Sequence, residues 1–264
     1  MSIDYHIHTP LCNHAREGMD KYIKKAVSLG LKEICFLDHF TICDSGKILS
    51  MNTNEISMYF YAVKYFADKY KKKIKIKAGL EIDFNLKHID LINKIVNTYN
   101  FDVIGSSVHF LNDINIVSRK YAKSACRFDA DILYHKYYQQ LEKMLSFDYF
   151  DLICHFDIVK KFNQYPVKSF KKQINNILEK VALKNIAIEV NTSGIYHPVS
   201  AIYPDLEIIK ECKKKNISLC TGSDAHHPHV VGQNFDRAKK LIKSAGYSHL
   251  CGFKNRKKYE IAMT

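Results

Sequence analysis

Seven apolar runs of strand length recur along the chain, at 2–8, 33–38, 74–82, 101–108, 150–155, 186–191 and 217–223. Stretches of helical periodicity follow them, at 18–29, 54–70, 87–98, 129–145, 168–184, 204–215 and 233–245. No other feature restricts the fold so strongly. Strands separated by helices pair in parallel through right-handed crossovers. Seven such units predict an α/β fold that closes into a (β/α) barrel rather than an open sheet. No Pro- or Gly-rich linker and no low-complexity tract breaks the pattern, so 1–264 reads as one domain with ample length for its own core. Asn52 with Glu55 predicts a capping box opening the second helix, and Pro204 suits the first turn of the sixth. The polar, irregular stretch 110–128 is the candidate lid.

Chemistry-bearing side chains collect at the C-terminal ends of the runs. His6 and His8 stand two apart on the first run and share a face, and His14 lies in the loop that follows. Asp38-His39 closes EICFLDHF, Glu81 sits late in IKIKAGLEID, His109 ends VIGSSVHF and His155 ends FDLICHF. Glu189 and Asn191 end IAIEVNTSG, and Asp224 and His226 follow in LCTGSDAHH. In a β/α barrel these ends form one rim, and that rim carries the active site. A single histidine at a strand end is an ordinary hydrogen-bonded rim residue. Six strand ends delivering His, Asp or Glu to one rim are not explained by packing, because uncompensated buried charge is costly. A polynuclear metal site explains them together, and imidazole with carboxylate suits zinc, manganese or iron.

The formal charge of +13 suits anionic partners, although much of it is lysine scattered over helix faces. The densest run, KYKKKIKIK at 69–77, reads as a helix end entering a strand, where lysines complement the helix dipole. Eight cysteines form no C-x-x-C pair. With no export signal read at the start of the sequence, reduced thiols and a cytoplasmic location are expected. No apolar run reaches the ~18–20 residues that span a bilayer, so no membrane partner is expected. C-x5-R, D-x-D-x-T, R-H-G, P-loop and G-x-G-x-x-G motifs are absent, so the metal site has little competition as the seat of chemistry.

These residues resemble the polymerase-and-histidinol-phosphatase (PHP) superfamily of metal-dependent phosphoesterases, and within it the histidinol-phosphatase branch. The pieces DYHIHTPLCNHA, FLDHF, GLEIDF, IGSSVHF, HFDIVKKF, EVNTSG, GSDAHHP and GFKNRKK occur in family order from residue 4 to residue 258. The resemblance implies a distorted barrel of seven β/α units. It implies nine metal ligands, His6, His8, His14, His39, Glu81, His109, His155, Asp224 and His226, holding two or three divalent ions of zinc, manganese or iron. Glu81 would bridge two of the ions. His6, His8 and Asp224 would share one, His109 and His155 the other, and His14, His39 and His226 would hold a third. The implied enzyme is a phosphoric monoester hydrolase, a histidinol-phosphatase of histidine biosynthesis. It would cleave L-histidinol phosphate to L-histidinol and phosphate through a metal-bridged hydroxide, with Glu81 and Asp224 catalytic and Asp224 able to accept the proton. The partner would be a small phosphorylated metabolite.

Phosphate also needs cations that are not ligands. Lys160, Lys161, Arg119 and His197 are the candidates. The branch carries an arginine shortly after NTSG where this chain reads GIYHPVS, so that phosphate contact is missing unless His197, Lys160 or Arg119 substitutes. His227 and His229 are expected at the surface, and His88, His135 and His249 without a role. Cys12 is left outside the ligand set, and Asp4 reads as an ordinary strand-start residue. Two alternatives stand beside this reading. One is a PHP phosphoesterase for another phosphate ester or for nucleic-acid ends, although no nucleic-acid-binding signature or basic–aromatic stripe supports it. The other is a non-catalytic metal site, which usually has a closed four-coordinate set.

Overall fold

A computed structural model of the chain describes residues 1–43, 45–124 and 128–263. Its strands are β1 (Ile3–Ile7), β2 (Glu33–Phe40), β3 (Lys75–Asp83), β4 (Val103–Ser107), the short β5 (Phe110–Leu111) and β6 (Ile114–Asn115), β7 (Leu152–Ile153), β8 (Ala187–Asn191), β9 (Leu219–Gly222), β10 (His249–Lys254) and β11 (Lys257–Ala262). Seven of them pair in parallel in the order β1-β2-β3-β4-β7-β8-β9, one strand for each predicted run. The helices are α1 (Met19–Ser28), α2 (Ile56–Tyr70), α3 (Ile89–Thr98), the short α4 (Arg119–Ala122), α5 (Ala130–Met144), α6 (Lys171–Leu183), α7 (Leu206–Lys214) and α8 (Phe235–Ser244). Each long helix turns one apolar stripe to the sheet. In α1 the buried residues Met19, Tyr22, Ile23 and Ala26 follow i, i+3, i+4, i+7.

The sheet curls until β9 meets β1. Among the described residues an isolated bridge, Ile7 to Ala225, stands in place of a ladder between them. His8 N–H donates to Ala225 O at 3.0 Å, and Ala225 N–H donates to His6 O at 3.1 Å. Side chains complete the seam. Asp4 is fully buried. Its carboxylate accepts Ser223 N–H at 2.9 Å, Ser223 Oγ–H at 2.5 Å, Gly232 N–H at 3.0 Å and His6 N–H at 3.3 Å. Asp4 is therefore the clasp of the barrel, not an ordinary strand-start residue. Ser223 and Gly232 lie 219 and 228 positions away in the chain, a separation local pattern cannot reveal.

The Asn52–Glu55 capping box is present, with Asn52 N–H donating to Glu55 Oε2 at 2.7 Å. Pro204 departs from expectation. Asp205 is the N-cap of α7, and Pro204 lies before it, after a cis peptide bond. The stretch 110–128 holds the β5–β6 hairpin and α4, while residues 125–127, with Cys126, lie outside the described residues. The seven described cysteines are buried and free. Among the described residues no helix is long and apolar enough to cross a membrane.

The terminal hairpin β10–β11 was not anticipated from periodicity. Tyr259 OH donates to Glu33 at the start of β2, Asn255 and Arg256 N–H donate to Asp102 just before β4, and Arg256 Nε meets Asp151, just before β7, at 2.9 Å. All three acceptors mark N-terminal strand ends. The hairpin thus covers that end of the barrel and leaves the opposite end free for chemistry.

The seam predicts that Asp4→Ala strands buried donors and lowers the unfolding free energy by about 2–4 kcal/mol. Asp148→Ala, at an exposed ion pair, should change it by less than about 0.5 kcal/mol. Denaturant unfolding of the two variants side by side checks this.

Candidate metal centre

Parallel register sets the centre of the site. His39 on β2 pairs directly with Glu81 on β3, so imidazole and carboxylate emerge at one level. Glu81 is fully buried. Its Oε2 lies 2.6 Å from His39 Nδ1, 3.4 Å from His6 Nε2 and 4.0 Å from His8 Nε2. Its Oε1 lies 2.8 Å from His155 Nε2 and 3.8 Å from His109 Nε2. One carboxylate thus divides five imidazoles between its two oxygens. Asp224, arriving just after β9, puts Oδ1 3.0 Å from His8 Nε2 and 3.9 Å from His6 Nε2. Nitrogens of His14, His39 and His226 form a further group within 4.8 Å of one another. All nine predicted ligands therefore converge at the C-terminal end of the barrel.

Each imidazole of β1 and β4 is aimed by a carboxylate behind it. His6 Nδ1 lies 2.7 Å from Glu189 Oε1, His8 Nδ1 3.3 Å from Asp38 Oδ1, and His109 Nδ1 3.0 Å from Asp83 Oδ2. Backbone carbonyls do the same for His14 (Cys12 O, 2.7 Å) and His226 (Asp224 O, 3.0 Å). Such partners fix the tautomer and orient the other nitrogen toward a metal. Glu189 also accepts His155 N–H at 2.8 Å and Asn191 Nδ2–H at 3.0 Å. Gly222 is required beside it, because a Cβ there would fall 2.0 Å from Glu189 Oε1. His155 (φ 26°) and Asp224 (φ 56°) occupy the left-handed region, a backbone cost that surrounding structure sustains at functional sites.

The charges are arranged for cations. Burial alone would raise the Glu81 carboxyl, but His39, His6, His109 and the hydrogen bond from His155 together hold it well below the usual range. Asp224 is likewise held low, with His6 and His8 outweighing burial. Burial and the neighbouring His39 push His8 down to about 3, and burial with His8 keeps His226 low. These two are neutral imidazoles, the ligand form. His6 is the exception. Burial opposes its proton, but Glu189, Glu81 and Asp224 together raise it. His6 Nε2, Glu81 Oε2 and His226 Nε2 are buried without a hydrogen-bond partner among the described residues. Polar atoms this deep are rarely left unpaired, and divalent ions among them would satisfy all three.

The centre opens into a cavity of about 760 Å³ walled by His14, His39, His109, Asp224 and His226. Lys161 lines it too, and among the described residues its ammonium has no acceptor. Burial, with Arg119 adding to it, lowers that ammonium from its ordinary value. His197 also lines the cavity, and burial and Lys161 bring it down to about 4. Arg119 is exposed at the start of α4, and its neighbour Ser118 lines the wall instead. Lys160 is corrected outright. It is 2% exposed and its Nζ is taken up by Asp157, Asp205 and Ile202 O, away from the cavity. His227 and His229 line the mouth, their Nδ1 atoms 2.5 Å apart. Arg16 on the wall was missed, its only sequence signal being that it sits two residues past His14.

The family model described as PHP domain matches residues 4–193. The histidinol-phosphatase of Lactococcus lactis is 30% identical over 263 residues, covering 97% of this chain and 95% of its own. That of Bacillus subtilis is 27% identical over 259 residues, covering 88% and 96%. The crystal structure of histidinol phosphate phosphatase from Lactococcus lactis, complexed with zinc, L-histidinol and phosphate, is similar with a TM-score of 0.84 at 25% identity, over 98% of both chains.

Metal entering beside His6 must displace the proton that its three carboxylate neighbours favour. Zinc binding at pH 7 should therefore release protons, read from calorimetric heats in buffers of different ionisation enthalpy. Glu189→Gln should cut that release and weaken zinc by about 10–100-fold. Unchanged zinc affinity in this variant would leave Glu189 a packing residue only.

Proposed function

We propose that this chain, which belongs to the PHP domain family, is a cytoplasmic histidinol-phosphatase of histidine biosynthesis, one domain that hydrolyses L-histidinol phosphate to L-histidinol and phosphate. One observation carries the reading: nine candidate ligands, with buried ligand atoms unpaired among the described residues, open into a cavity whose wall holds an ammonium with no acceptor among those residues. Near-full-length likeness to a protein whose structure holds zinc, L-histidinol and phosphate supports the substrate.

His6, His8, Glu81 and Asp224 would hold one ion, Glu81 with His109 and His155 a second, and His14, His39 and His226 a third. Zinc, manganese or iron bound there supplies Lewis-acid charge to the phosphoryl oxygens and eases deprotonation of the attacking water. The protein's own residues do the rest. Asp224 is ionised at neutral pH, and its Oδ2 takes a hydrogen bond from Ser193 Oγ at 3.1 Å. That fixes the carboxylate at the cavity floor, where it can accept the proton of the attacking water. Lys161 meets the dianionic phosphate, and binding restores to its ammonium the charge partner that burial withholds. His197, neutral near pH 7, offers a ring N–H to the same group. Arg119 adds positive field from the rim. Phe110, Val117, Ile158 and Val230 give the imidazole end of the alcohol an apolar wall.

Protein loaded with zinc, manganese or iron should release phosphate from L-histidinol phosphate at a kcat/KM about 100-fold or more above that for glucose 6-phosphate or AMP. No release from L-histidinol phosphate with any of the three metals would sink the substrate assignment. His8→Ala should lose about 1,000-fold in kcat with its circular dichroism unchanged. Lys161→Met should raise KM about tenfold and change kcat by less than about threefold.

A further inference from the structure

The adjacent lysines of HFDIVKKF have different tasks. Lys161 faces the cavity, whereas Lys160 turns into the protein. We propose that Lys160 is a positioning residue for phosphate binding: its ammonium ties the loop that carries Lys161 to the loop that follows His197. The inference rests on the phosphate role given above to Lys161 and His197.

An ammonium has three donors and no acceptor. Those of Lys160 reach Asp157 Oδ2 at 2.7 Å, Asp205 Oδ1 at 2.5 Å and Ile202 O at 3.3 Å, which leaves none for a ligand. Asp157 belongs to the His155 loop, and Ile202 and Asp205 belong to the loop after His197. The tie is reinforced on both sides. Asp205 N–H donates to Asp157 Oδ2 at 3.0 Å, and Val199 N–H donates to Lys161 O at 3.1 Å. The Tyr203 ring lies 5.5 Å from Nζ, and Tyr203 exchanges backbone hydrogen bonds of 2.9 and 2.7 Å with Asn191 at the end of β8. Lys161 and His197 thus stand on two loops joined through one buried cation and two direct hydrogen bonds.

The geometry fits positioning better than stabilisation. A buried ion pair gains little over an apolar replacement of the same shape, yet fixes one arrangement of the groups it joins. Burial pushes the Asp157 carboxyl up to about 6 even with Lys160 beside it. Its Oδ1 has no hydrogen-bond partner among the described residues. A cation this encumbered stabilises the fold weakly and constrains it tightly.

The test uses the zinc-loaded full chain. Lys160→Met alone leaves Asp157 buried without a cation, so it is paired with Lys160→Met/Asp157→Asn, which removes both charges. In the folded double variant, with zinc content unchanged, KM for L-histidinol phosphate and the inhibition constant of inorganic phosphate should both rise about tenfold, with kcat changed by less than about threefold. In a Lys161→Met background the same change should add less than about threefold, because only His197 is then left to position. Unchanged KM and phosphate inhibition, equal losses in both backgrounds, or a fall in zinc content would each overturn the proposal. Should the parent protein fail to turn over L-histidinol phosphate, the substrate assignment falls separately. Calorimetric binding of inorganic phosphate to the same four proteins then decides the role of Lys160.

Discussion

The buried carboxylate of Glu81 is the group on which the rest of the structure turns. A charge taken wholly from water is tolerated only where other charges and dipoles replace the lost solvation. Here five imidazoles within 4.0 Å do so, and they must come from four different strand ends. Packing that many rings around one acid raises a second difficulty, since the rings would repel one another if all were protonated. The protein answers it by keeping His8 and His226 neutral, leaving the proton on His6, and setting Glu189, Asp38 and Asp83 behind His6, His8 and His109. The result is a shell of negative charge around a layer of bases that face one another across a gap, which is an arrangement for cations.

Parallel topology makes this possible. Every strand of a β/α barrel points the same way, so a side chain two residues past its end reaches the same rim as all the others. His155 and Asp224 use left-handed backbone to turn inward at that point. The opposite rim is sealed by the terminal hairpin through Glu33, Asp102 and Asp151. Stability and chemistry are thereby assigned to different ends of one sheet.

The seven strands, and the gathering of His, Asp and Glu at their ends, were legible because both depend on short-range pattern: apolar runs, and a donor at the end of each run. What was not legible depends on partners distant in the chain. Asp4 looks like any acid at a strand start until Ser223 and Gly232 are beside it. Lys160 and Lys161 are the same residue type side by side, and only the positions of Asp157 and Asp205 decide which one faces inward. Asp38 and Glu189 were visible as strand-end acids and Asp83 was not singled out; the task all three have of aiming particular histidines needs register across the sheet. The terminal hairpin carries mixed polarity, with residues such as Lys254, Lys257 and Glu260 masking its period.

The seam between the first and last strands bears on how the protein is made. His6 and His8 leave the ribosome well before Asp224, His226 and the Ser223 that Asp4 grips, with 216 positions separating His8 from Asp224. Contacts this distant in sequence form late. A nascent chain therefore carries these early histidines with no barrel to enclose them, and cannot form the enclosed centre until β9 has been made. Enclosure of the centre waits on β9, and a chain terminated before β9 would leave those imidazoles in water.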